Sequence, residues 1–138
     1  MVFKIIPYIG VGEIEFGMSR NRVREFFNNV YIEFIKSTSS ENTTDDFLDL
    51  HVYYNKVNEC EAVEIFEVSS VAYGDIDNFG ISYTRVKKVF ERLDNTLDIN
   101  EVGFTSYKFG IGVYAPYAED EPNEPVESVI VFSKSYYE

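Results

Sequence analysis

The stretch Phe16-Gly17-Met18-Ser19-Arg20-Asn21-Arg22-Val23-Arg24-Glu25-Phe26-Phe27 recurs as Phe79-Gly80-Ile81-Ser82-Tyr83-Thr84-Arg85-Val86-Lys87-Lys88-Val89-Phe90, with six of twelve positions identical. Two more pairs follow in the same order. Leu50-His51-Val52-Tyr53 matches Ile111-Gly112-Val113-Tyr114, and Glu61-Ala62-Val63-Glu64-Ile65-Phe66 matches Glu127-Ser128-Val129-Ile130-Val131-Phe132. The offsets are 63, 61 and 66 residues, which puts the slippage in loops. Matched blocks in one order mark an internal repeat. They predict a single domain over 1–138, built from two copies at about 10–70 and 72–138.

Each block has a local physical reading. Ser19 and Ser82 stand where a helix N-cap belongs, each offering a hydroxyl to free N–H groups of the first turn. Beyond them Val23, Phe26 and Phe27 stand at i, i+3 and i+4, as do Val86, Val89 and Phe90, with Leu93 a turn further. That spacing gives each helix one apolar stripe. Gly17 and Gly80 suit the sharp passage from extended chain into helix. The glycine-rich run and lysine of a phosphate loop are missing.

Runs rich in β-branched and aromatic residues predict strands at 30–35, 47–54, 62–68, 104–114 and 128–133. Within 47–54, Leu48, Leu50, Val52 and Tyr54 share one face and Phe47, Asp49, His51 and Tyr53 the other. Each copy is expected to run helix, strand, strand, strand. The expectation is an α+β fold: one antiparallel sheet, both helices on one face and the opposite face open.

Composition agrees with a sheet-rich core. The 138 residues include 12 Phe and 11 Tyr but no Trp, and 45% are hydrophobic. The formal net charge is −12. A chain so acidic is repelled by nucleic acid and anionic membranes and attracts basic partners. Seven of the 12 basic residues (Arg20, Arg22, Arg24, Arg85, Lys87, Lys88, Arg92) fall on the two helices. Strands and loops are left strongly acidic.

Two stretches concentrate the charge. One runs from Glu41 through Asp45 and Asp46 to Asp49; the other holds Glu119, Asp120, Glu121, Glu124 and Glu127. With Tyr53, Tyr114 and Tyr117 they form the expected partner-binding set, since tyrosines supply rigid contact area and carboxylates steer encounter.

Catalytic chemistry finds little to stand on. His51 is the only histidine and Cys60 the only cysteine. Asp49 and His51 would be strand neighbours able to orient an imidazole, but the second copy has Gly112 at the matching place. Cys60 reads as a turn residue between Glu59 and Glu61, whose charge opposes thiolate formation. Too few ligands exist for a zinc site, and Asp45–Asp49 lacks the spacing and central glycine of a calcium loop. No catalytic residue, metal or cofactor is expected. The first ten residues are too short and broken by Pro7 for a signal h-region, so the expected location is cytoplasmic.

The run Gly12-Glu13-Ile14-Glu15-Phe16-Gly17-Met18-Ser19 followed by Val23 resembles the helix start of the outer-membrane assembly lipoproteins and the tandem-repeat β-lactamase inhibitor protein. The resemblance covers about a dozen residues in each copy and implies a helix packed on an antiparallel sheet. In size, acidity and aromatic content the chain is similar in type to the immunity proteins of bacterial toxin systems. That likeness implies a non-catalytic partner of a basic toxin C-terminal domain, such as a nuclease; the alternative is a non-catalytic structural or adaptor interaction domain whose acidity serves only solubility.

Overall fold

The structure is a computed structural model that describes residues 2–40 and 42–137; Met1, Glu41 and Glu138 lie outside the described residues. The chain enters through β1 (Phe3–Ile6), β2 (Gly10–Val11) and β3 (Ile14–Glu15), then forms α1 (Arg20–Phe26). Next come β4 (Ile32–Phe34), β5 (Thr44–Asp46), β6 (Leu50–Tyr54) and β7 (Cys60–Ile65). A short β8 (Val71–Ala72) leads to α2 (Tyr83–Leu93), followed by β9 (Asp98–Asn100), β10 (Gly103–Ser106), β11 (Ile111–Tyr114) and β12 (Ser128–Phe132).

Both helices start where the serines predict. Ser19 Oγ accepts from the Arg22 N–H and Ser82 Oγ from the Arg85 N–H. The hairpin loops supply further caps: Asn58 O accepts from Arg20 N–H, and Glu124 O and Pro122 O accept from the Tyr83 and Thr84 N–H groups. These bonds satisfy donors that a helix N-terminus otherwise leaves unpaired.

The fold is α+β, with two helices and mostly antiparallel sheets. The larger sheet has eight strands in the order β4-β5-β6-β7-β12-β11-β10-β9, antiparallel throughout. Each helix is thus followed by a four-strand meander rather than three strands. The meanders meet at β7 and β12, where Val63 pairs with Val131, Glu64 with Ile130 and Ile65 with Val129. A second sheet, β3-β2-β1-β8, departs from the single sheet expected, and its β1–β8 pair is parallel.

One face of the large sheet carries Leu50, Val52, Val63, Ile65, Phe104, Ile111, Val113, Val129 and Val131, all buried in one cluster with Val23 of α1 and Val86 and Phe90 of α2. Both helices therefore pack on this face. Phe26 and Phe27 are half-buried, and Leu93 is exposed rather than core.

Three strand expectations change in detail. Residues 104–114 form two strands, β10 and β11, joined by a turn. Residues 47–49 are a turn, not strand: Leu48 has φ of +83° and is 86% exposed, while Phe47 stacks on Phe27. Thr44–Asp46, inside the expected acidic loop, is strand β5. Cys60 opens β7 and is buried; burial pushes its thiol up to about 12. It is an inert core group at neutral pH.

Candidate functional site

The pairing register settles what the open face carries. One row of cross-strand partners runs Ile32, Asp46, His51, Glu64, Ile130, Gly112, Thr105 and Asp98 from edge to edge. Since side chains alternate along a strand, the row shares the face opposite the helices with Tyr53, Phe132, Ser128 and Tyr114.

This face has two unlike ends. At the β4–β7 end, His51 sits edge-on between Phe34 and Phe66, ring centroids 5.0 and 4.7 Å away, with Nε2 3.7 Å from Asp46 Oδ1. Asp49 lies exposed in the turn, with its carbonyl accepting from the Phe66 N–H. The histidine's acidic neighbour is therefore Asp46, not Asp49.

At the other end a groove of about 170 Å³ is lined by Glu64, Asn100, Thr105, Gly112, Tyr114 and Ser128, among others. Gly112 brings no side chain to it, and Thr105 and Ile130, whose Cγ2 methyl leans over Gly112, line it as well. Glu64 is half-buried at the groove. Tyr53 donates its hydroxyl to Glu64 Oε1 at 2.5 Å, and Ser128 donates to Oε2 at 2.8 Å. Burial first, and then the Glu64 bond, push the Tyr53 phenol far above its ordinary range.

The acidic loop adjoins this end, since it joins β11 to β12. Glu119, Asp120, Glu121 and Glu124 are all exposed. The loop is anchored by its backbone to the start of α2, and Tyr117 donates to Pro125 O at 2.7 Å. Desolvation, with the charges of Glu127, Glu124 and Glu121, raises the Tyr117 phenol. No ion pair among the described residues uses Glu64 or these four loop carboxylates.

The structure divides the expected partner-binding residues. Tyr114 and Asp46 lie on the open face, while Glu119, Asp120, Glu121 and Glu124 are exposed on the loop that caps α2, the helix packed on the opposite face. Tyr53 is on the open face too, but 6% exposed, and its hydroxyl is committed to Glu64. Asp45 is a correction: it points to the helix face and is fully buried. Its carboxylate accepts from Arg24 Nε at 2.7 Å, Arg24 Nη2 at 2.8 Å and Tyr54 Oη at 2.9 Å. It is an internal anchor and unavailable to a partner. Glu64, which sequence reasoning missed, is the most preorganised carboxylate on the face.

Among the described residues, no group of three or more His, Cys, Asp or Glu is placed to hold a metal ion, and no helix is long and apolar enough to cross a membrane. The molecule belongs to the class of α+β domains with helices on one sheet face; the other face has no helix among the described residues, and Tyr8 and Tyr136 cover Tyr53, Ala62 and Phe132 on it. No protein-family model, curated protein or solved structure matches this chain.

Proposed function

We propose that this chain is an immunity-type inhibitor that binds a basic bacterial toxin domain in the cytoplasm, stoichiometrically and without catalysis. The observation that carries the reading is acidity without internal ion pairs: Glu64 in its groove at the middle of the open face, and four exposed carboxylates on the β11–β12 loop. Carboxylates without internal cations are ready to pair across an interface, where they steer encounter and fix register. Tyr114, 43% exposed at the groove, supplies amphipathic contact area.

The same proposal takes the chain to be a duplicated unit. In its favour, helices capped by Ser19 and Ser82 each receive carbonyls from the final hairpin loop of their own half. The β7–β12 register also fits: the sequence blocks equate Glu64 with Ile130, and these two pair with each other, as residues on a two-fold axis do.

Co-expression with the product of the neighbouring gene tests the reading. A one-to-one complex that relieves toxicity is the expected result. Folded protein with neither complex nor rescue would overturn it.

A further inference from the structure

The two halves differ most on the line where they meet. In the second half the residue on that line is Ile130, an ordinary strand residue; in the first it is Glu64, a charge set in the middle of a sheet. The neighbouring row positions differ as well. His51 fills its place in β6, whereas Gly112 brings no side chain to its place in β11, where the Ile130 Cγ2 methyl leans in at the wall of the groove. A carboxylate and a space to approach it thus occur together.

The carboxylate is also held still. Tyr53 and Ser128 each take one oxygen, which uses two of its roughly four acceptor sites. The other two can accept from a partner's donors. Among the described residues no cation forms an ion pair with the carboxylate. His51, directly opposite on β6, turns its Nε2 toward Asp46, and Lys36 lies over the Tyr53 ring, 4.2 Å from its centroid. None of the groove-lining residues is basic.

We infer that the groove at Glu64 is a receptor for an arginine side chain presented by a protein partner. A guanidinium matches the site on three counts. Its planar fork bonds a carboxylate that keeps an acceptor position on each oxygen. Its face stacks on the exposed Tyr114 ring. Its remaining N–H groups find the Asn100 amide oxygen and the Thr105 hydroxyl among the groove's other polar groups. A lysine ammonium satisfies only the charge. The inference rests on the reading of this face as partner-binding, but not on the partner being a toxin.

The test uses the full chain and a capped Gly-Arg-Gly peptide, with the Gly-citrulline-Gly peptide as its neutral counterpart, followed by amide chemical shifts at low salt. The arginine peptide should give saturable shifts at Glu64, Thr105, Gly112 and Ser128, and the citrulline peptide none. Glu64→Gln should weaken binding about tenfold or more, the scale of a lost charged hydrogen bond. Ile130→Lys leaves Glu64 in place but supplies a cross-strand cation, and should abolish the shifts even if Glu64→Gln fails to fold. Equal binding by these variants, shifts confined to residues 119–124, or no shift from the arginine peptide would each overturn the inference. Failure of toxin rescue with peptide binding intact would remove only the immunity reading.

Discussion

The two halves seat their helices on the same sheet by different physics. α2 is eleven residues long and buries Tyr83, Val86 and Phe90. Phe90 sits among Phe79, Phe104 and Tyr73, with ring centroids 6.2, 5.1 and 6.0 Å away. α1 is seven residues long and buries only Val23. Its hold is ionic: Arg24 reaches Asp45 and Glu33, and Arg20 reaches the Thr43 carbonyl while its guanidinium lies 4.1 Å from the Tyr54 ring centroid. A short helix with little apolar surface cannot be held by burial alone, and a buried carboxylate compensates only when its acceptors are met. The same topological position is thus filled by an aromatic stack in one half and a charge network in the other.

Breaking each anchor separately measures the difference. Phe90→Ala should cost about 4–5 kcal/mol, the upper range for emptying a large aromatic from a tight core, read from the urea midpoint. Asp45→Ala should cost about 3 kcal/mol, because Arg24 keeps Glu33 while Tyr54 loses its acceptor. Combining Arg24→Met with Asp45→Leu, which gives the first half an apolar anchor like the second's, should recover much of that loss. A double variant no more stable than Asp45→Ala would refute the equivalence of the two solutions.

Acid should weaken both halves, and more gently. Hydrogen bonds from Thr43 and Arg24 hold the Glu33 carboxyl below its ordinary value. Burial pushes the Asp94 carboxyl up, but hydrogen bonds from Thr96 and Ser106 outweigh it, leaving that group lowered too. For a carboxyl lowered in the folded state, the stabilisation is complete above the unfolded value. It is lost as pH falls through the folded one. Stability should therefore be flat between about pH 5 and about pH 8 and decline below about pH 4. Glu33→Gln and Asp94→Asn should each flatten that decline, and an undiminished slope in both would exclude these groups as its source.

Elements written in local signals were legible before the structure. The serine caps and the i, i+3, i+4 stripes placed both helices, and β-branched runs placed β6, β7, β11 and β12. What escaped depended on distant partners. Thr44–Asp46 read as acidic loop because aspartate is depleted in strands, yet Asp45 is admitted there by Arg24, 21 residues earlier. Asp45 was consequently expected on the surface. Glu64 was passed over because it is simply the polar member of Val63-Glu64-Ile65. Only the pairing with Ile130 gives it meaning, and the repeat register was the signal that contained it. The loop carboxylates were legible because four acidic residues in six positions need no partner to be recognised.

The most direct test of the account is the binding kinetics of the chain with the co-encoded basic protein, measured by surface plasmon resonance at low and high salt. Wild type is compared with Glu64→Gln and with a variant reversing Glu119, Asp120 and Glu121 to lysine. The account predicts slower association for the loop variant, chiefly at low salt, and faster dissociation for Glu64→Gln at both. Unchanged rates in both folded variants would contradict it.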